Sequence, residues 1–213
     1  MSKLRLQIIV GSTRNGRNSD PVMRWITPVI EANPAFEVEV LDLRDWALPF
    51  FQETIETVGN LADPSYSEPL VKRWNTKIKE ADAYIIVTPE YNHGLPAVLK
   101  NAIDSVFFSY SFRRKPVACV GYSLGATGGS RAIEHLNQVM LEMEAVPLRT
   151  PTLISFVTGA FDAEGKASSP GVNVVLNVML EDLAWLGKVL KTARAEDKSL
   201  PAAVRIRAAT PKP

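Results

Sequence analysis

Cysteine is almost absent from this 213-residue chain: Cys119 is the only one, which excludes an internal disulfide and a cysteine-held metal cluster. It lies in the apolar run Pro116 to Val120 and reads as a small buried hydrophobe. Histidine is nearly as scarce, with His93 and His135 well separated, and without a cluster of His, Asp and Glu the sequence offers no metal site. Neither sign of charge dominates. The 24 Lys and Arg stand against 23 Asp and Glu, a formal charge of +1, so a protein-wide surface for nucleic acid or membrane is not expected. No apolar run approaches the roughly 18 residues that span a bilayer. Met1 to Arg5 leads straight into a strand rather than a signal peptide, so the expected compartment is the cytoplasm. What is present is an ordinary globular composition, 46% hydrophobic and 22% charged, at a length that suits one domain with a sizeable core.

Periodicity predicts strands and helices in alternation. Leu4 to Val10 reads as a strand buried on both faces, and after a polar loop Val22, Met23, Ile26, Val29 and Ile30 form one helical stripe that ends at Asn33-Pro34. Asn18, Ser19 or Asp20 is placed to cap that helix, and Pro21 suits its first turn. Phe36 to Val40 alternates strictly, with glutamates outward, as an edge strand does. Asp45 to Ser67 is long, irregular and aromatic, a piece too long to be a plain connection. Ser67 then caps a helix carrying Leu70, Trp74 and Ile78. Ala83 to Val87 is a buried strand, and Leu95 to Phe107 a helix with Lys100 and Asp104 as an outward i,i+4 pair. Val117 to Val120 is a further buried strand, and a helix after it carries Ile133, Leu136, Met140 and Met143. A fifth strand is expected within Leu153 to Val157, and a last helix lines up Val172, Leu176, Met179, Leu183, Leu186 and Leu190, with Trp185 packed beside that stripe. The domain is expected to span residues 1–194, with 195–213, rich in Ala, Pro, Lys and Arg, as a mobile tail. Five strands alternating with five helices imply a parallel sheet covered on both faces, and the edge character of the second strand fits the order 2-1-3-4-5.

That order gathers three loops at the carboxyl ends of the strands, where open α/β sheets bind ligands. Ser12 to Ser19 leaves a central strand and opens a helix, so its N–H groups face outward in a partly positive field. It lacks the Gly-Lys-Ser/Thr ending of a triphosphate loop and the Gly-x-Gly-x-x-Gly of a dinucleotide loop. It offers Ser12, Thr13, Asn18 and Ser19 as hydrogen-bonding side chains, with Arg14 and Arg17 to balance a dianion, which suits a terminal monophosphate. The second loop, Thr88 to Pro96, holds Pro89 to fix a turn, Tyr91 with a flat face and a polar tip, and Glu90 and Asn92 to hydrogen-bond or orient neighbours. The third, Tyr122 to Gly129, has glycine enough for a backbone to approach a ligand closely, with Ser123 and Gly125 foremost. A phosphate cradle with two ring-binding turns points to a mononucleotide with a large flat base, FMN. His93 adjoins the second loop as a solvated or capping residue or as a ring contact. Phe107, Phe108, Tyr110 and Phe112 serve either as core or as cover for a neighbouring subunit's flavin.

Gly11-Ser12-Thr13-Arg14-Asn15-Gly16-Arg17-Asn18-Ser19, with Thr88-Pro89-Glu90-Tyr91-Asn92 and Leu99-Lys100-Asn101-Ala102-Ile103-Asp104, resembles the NADPH-dependent FMN reductase family, whose members include quinone, azo-dye and chromate reductases. The resemblance covers about residues 4 to 190. It implies a flavodoxin-like fold, FMN phosphate on Ser12 to Ser19, ring and ribityl contacts from Pro89 to Asn92, a further contact from Ser123-Leu124-Gly125, and a homodimer or homotetramer. It implies an enzyme that takes a hydride from NADPH or NADH and reduces a flavin, quinone, azo compound or metal oxyanion. The flavin carries the hydride, so no catalytic side chain is named. The alternative is a flavodoxin-type electron carrier that does not oxidise NAD(P)H. A carrier that docks to basic partners would favour strong negative charge, which a balance of +1 does not provide.

Overall fold

The computed structural model describes residues 3–162 and 164–210. The expected domain start and the end of the expected tail, residues 1–2 and 211–213, lie outside them. The elements are β1 (Leu4–Val10), α1 (Ser19–Glu31), β2 (Phe36–Asp42), α2 (Ile55–Val58), α3 (Pro69–Glu80), β3 (Ala83–Pro89), α4 (Ala97–Asp104), β4 (Pro116–Tyr122), α5 (Ser130–Glu142), β5 (Val146–Pro147), β6 (Thr152–Ile154), α6 (Pro170–Glu196) and α7 (Ala202–Ala209). The sheet runs β2-β1-β3-β4-β5, with β6 also on β4, and every strand pair is parallel.

Side-chain alternation along the strands builds two cores. From β1, β3 and β4, residues Leu6, Ile8, Ile85, Val87, Ala118, Val120 and Tyr122 point to one face, where Val22, Ile26 and Ile30 of α1 and Leu176, Met179 and Leu183 of α6 cover them. Their neighbours Ile9, Tyr84, Ile86, Val117 and Cys119 point the other way, under Trp74 and Ile78 of α3, Leu99 and Ile103 of α4 and Leu136 and Met140 of α5. Strands buried on both faces need near-continuous apolar sequence, which is why β3 and β4 read so clearly. Trp74, fully buried, also donates its Nε1–H to the Ala102 carbonyl at 2.7 Å, so one side chain packs α3 against α4 and satisfies its own polar atom. Cys119 is buried as expected, and Lys100 pairs with Asp104 at 2.6 Å.

Several details differ from the sequence reading. The fifth strand position is shared by two short pieces: β5 pairs with Pro116 and Val117, and β6 with Val120 to Tyr122. Pro147 and Pro151 lack the N–H that a continuous ladder would need, so the strand breaks between them. Glu68, not Ser67, holds the N-cap position of α3; Ser67 instead donates from both its N–H and its hydroxyl to Glu53, each at 2.7 Å. Trp185 is 67% exposed, because two residues along a helix from Leu183 is about 200° around it. The final helix runs on to Glu196, and α7 follows where a mobile tail was expected. That segment is tethered by Arg113, which donates to the Ser199 carbonyl at 2.7 Å, and by Glu144, which accepts from the Ala202 N–H. No helix among the described residues is long and apolar enough to cross a membrane.

Candidate active site

The three predicted loops leave β1, β3 and β4, adjacent in the sheet, and they emerge at the same end because the strands are parallel. The first is braced from inside. Arg17 is buried, with one guanidinium N–H donating to Asp42 at 2.7 Å, another also bonding Asp42, a third donating to Asp20 at 2.7 Å and a further bond closing on the Ser12 carbonyl at 2.5 Å. Asp42 is within reach because it ends β2 directly opposite Val10 of β1. Arg44 adds its backbone N–H to Asp42 at 2.9 Å. Burial works to raise the Asp42 pKa, but the hydrogen bonds from Arg17 and Arg44 outweigh it and hold the carboxylate below its ordinary value. The bonds that Arg17 donates to Asp42 likewise hold the guanidinium cationic against its own burial.

This changes the expected role of Arg17. It was expected to balance a ligand dianion beside Arg14, yet its guanidinium is committed to two carboxylates and a carbonyl, so it shapes the loop. Arg14 is the exposed cation of the pair, with no carboxylate paired to it among the described residues, and its guanidinium carbon lies 5.5 Å from the centre of the Tyr91 ring. Thr13 is exposed and Asn18 half-buried at the N-cap of α1, where its side chain makes no capping bond and stays available. Ser12 and Ser19 are fully buried. The Ser12 hydroxyl meets the Tyr91 hydroxyl at 2.8 Å, joining the first loop to the second.

The second loop is a tight reversal. Tyr91 and Gly94 exchange N–H···O bonds of 2.9 and 3.0 Å, and Asn92 and His93 both have positive φ, 49° and 67°, as a type I′ turn requires. Asn, His and Gly are the residue types that tolerate this backbone. Asn92 and His93 are exposed and Tyr91 is half-buried. Pro89 ends β3 opposite Tyr122 of β4. Glu90 turns inward, its side chain only 4% exposed, to pair with Arg131 of α5, which donates from Nε at 2.6 Å. Thr127 donates to the same carboxylate at 3.3 Å, and Arg131 also bonds the His93 ring at 2.7 Å. Burial pushes the Glu90 pKa up, and Arg131 overcomes it and leaves the group lowered and ionised. Glu90 is therefore a clasp between the second and third loops rather than a free ligand group. His93 is a partner of Arg131, and His135 is exposed.

In the third loop Ser123 donates to the Gly125 carbonyl at 2.9 Å, which curls the turn, and Gly125 has open space where a Cβ would stand. Behind it the chain passes so close to β4 that a Cβ on Gly129 would lie 2.7 Å from the Tyr122 nitrogen. Of the four aromatics after α4, Phe112 is fully buried and Tyr110 nearly so, while Phe107 and Phe108 are half-buried. Phe108 packs on Phe51 of the long segment, with ring centres 5.9 Å apart. Sequence reasoning missed Asp42, Arg44, Arg131 and Tyr122. Arg131, in the first turn of a helix that follows a glycine-rich loop, carried the one local signal. A cavity of about 640 Å³ lies elsewhere, between β6 and the start of α6, lined by apolar groups such as Leu153, Phe156, Phe161 and Val172. None of the predicted cofactor residues lines it.

A parallel 2-1-3-4-5 sheet with a phosphate-type loop at β1 and two ring-type loops beside it defines a flavodoxin-like, mononucleotide-binding α/β protein. The family model described as NADPH-dependent FMN reductase matches residues 4–158. The chain is 32% identical over 185 residues to an NAD(P)H-dependent FMN reductase of Pseudomonas aeruginosa, covering 85% of this chain and 94% of that one. It is 31% identical over 158 residues to a quinone reductase of Escherichia coli K12, covering 73% and 79%. Among solved structures, the NAD(P)H:(acceptor) oxidoreductase FerB of Paracoccus denitrificans superposes with a TM-score of 0.69 at 24% identity, over 87% of this chain and 97% of that one, a likeness of fold. The chain belongs to the NADPH-dependent FMN reductase family. It is accordingly an FMN-dependent oxidoreductase that uses NAD(P)H.

Proposed function

We propose that FMN lies with its phosphate on Ser12, Thr13, Arg14, Asn18 and Ser19 and its ring against Pro89, Tyr91, Asn92 and the Ser123 to Gly125 turn. The protein then passes electrons from NAD(P)H to a small quinone or flavin acceptor. The observation that carries this reading is the Ser12–Tyr91 hydrogen bond of 2.8 Å, which fuses the phosphate-type loop with the ring-type loop into one surface. The residues fit the group. Arg14 offers a charge with no acidic partner among the described residues, the buried Ser19 hydroxyl lacks any partner there, and α1 directs its first N–H groups outward.

FMN supplies the redox chemistry: hydride acceptance from NAD(P)H and delivery of the electrons onward. The side chains supply position. Arg17 with Asp42 fixes the first loop, Glu90 with Arg131 fixes the second against the third, and Arg14 places positive charge where a dianion would rest. An acceptor of the quinone class is in keeping with the quinone reductase relative. Assembly as a homodimer or homotetramer is in keeping with Val174, Val178, Trp185 and Val189, exposed apolar residues that share one face of α6. The cytoplasm, with reduced nicotinamide at hand, is the proposed compartment. The test is NADPH consumption by FMN-loaded protein over a panel of acceptors. Turnover with a quinone or free flavin is expected. Reduction of the bound flavin with no turnover on any member of the panel would contradict the proposed acceptor class, and failure of NADPH and NADH to reduce it at all would indicate a carrier.

A further inference from the structure

Tyr122 ends the inward series Ala118, Val120, Tyr122 on β4 and points to the face covered by α1. It is 3% exposed, and its hydroxyl has no hydrogen-bond partner among the described residues; the same holds for the hydroxyl of fully buried Ser19, the first residue of α1. Burial pushes the phenol pKa up to about 12, partly offset by the hydroxyls of Ser19 and Ser12. Two buried hydroxyls without partners, one opening α1 and one ending β4 on the face that α1 covers, cost free energy unless something completes them.

We propose that Tyr122 is a positioning residue for the cofactor phosphate, donating its O–H to Ser19 Oγ so that Ser19 donates to the phosphate. The reason is a count of donors. A phosphate dianion only accepts, and a serine hydroxyl has one proton. Once Ser19 gives that proton to the ligand, its oxygen needs a donor of its own, and a phenol that stays protonated is suited to be one. Tyr91 stands to Ser12 in the same relation at 2.8 Å. Tyr91 of the second loop and Tyr122 at the end of β4 would thus each support a serine of the first loop, and the pair would make the site selective for a group that is purely an acceptor.

The proposal rests on the phosphate reading above, and one experiment separates the two. The dissociation constants of FMN and riboflavin are measured for wild type, Tyr122→Phe, Ser19→Ala and the double variant, together with the melting temperature of each FMN-free protein. Tyr122→Phe is expected to weaken FMN about tenfold and leave riboflavin unchanged. It should also raise the FMN-free melting temperature by about 2–4 °C, because an unsatisfied hydroxyl is gone. The double variant should lose less than the product of the single losses. An unchanged FMN-to-riboflavin ratio in Tyr122→Phe, or a lowered FMN-free melting temperature, would overturn the relay while leaving the phosphate site standing. If wild type holds riboflavin as tightly as FMN, the phosphate site itself is wrong and the relay falls with it.

Discussion

Replacing Arg17 by alanine is expected to destabilise the protein by about 3 kcal/mol and to weaken FMN binding by at least about tenfold, although its guanidinium is engaged with Asp20, Asp42 and the Ser12 carbonyl. Breaking a buried pair from one side leaves the other charge uncompensated. Here the abandoned group is Asp42, with its side chain 23% exposed, while Asp20, at 40%, can turn to water. The Ser12 carbonyl also loses its donor, so the loop loses the brace that holds its serines in place. A pH series separates charge from bulk. Asp42 has a folded pKa below its ordinary value, so its contribution is fully present above the unfolded carboxylate value of about 3.9 and is lost as pH falls through the lower folded value. Without Arg17 and its hydrogen bonds, burial dominates and the Asp42 pKa rises, so acid sensitivity should begin at higher pH. Urea unfolding of both proteins across the acid range reads this directly. Coincident pH profiles would show that Arg17 acts as bulk alone.

Gly129→Ala should cost a comparable amount, about 2–5 kcal/mol, with loss of flavin binding. The residue has φ of 90°, and a methyl there would meet the Tyr122 nitrogen at 2.7 Å and the Gly121 backbone at 3.0 Å. Backbone cannot rotate aside as a side chain can, so overpacking adds to the left-handed backbone penalty. The strain falls on the junction of β4 with the third loop. Gly159→Ala is the control, since Gly159 has no positive φ and nothing within 4 Å of the added methyl; its melting temperature should match wild type. Equal melting temperatures for the two variants would refute the close-approach account.

The parts of this fold legible in the sequence were those written in local patterns. Alternation with outward glutamates marked β2 as an edge, and continuous apolar runs marked β3 and β4 as central. From these the sheet order and the meeting of three loops followed. What escaped were effects created by distance. Arg17 looked free for a ligand because Asp42 lies 25 residues away in sequence, and only parallel pairing of β2 with β1 brings them together. Glu90 looked like a ligand group because Arg131 is 41 residues on. The ending of the chain looked loose because α7 buries none of its residues, and its helical character shows no stripe. Trp185 was expected to pack beside the apolar stripe of the last helix, but its angular position on α6 places it outside. The loops themselves, their serines and their turn residues, stood where the sequence placed them.

The most direct measurement is a crystal structure of the protein with FMN. The phosphate is expected within hydrogen-bonding distance of Ser12, Ser19 and Arg14, with the isoalloxazine ring against the Pro89 to Asn92 turn and the Ser123 to Gly125 backbone. FMN bound with its phosphate away from the Ser12 to Ser19 loop, for instance with its ring in the apolar cavity beside Leu153, Phe156 and Val172, would contradict it.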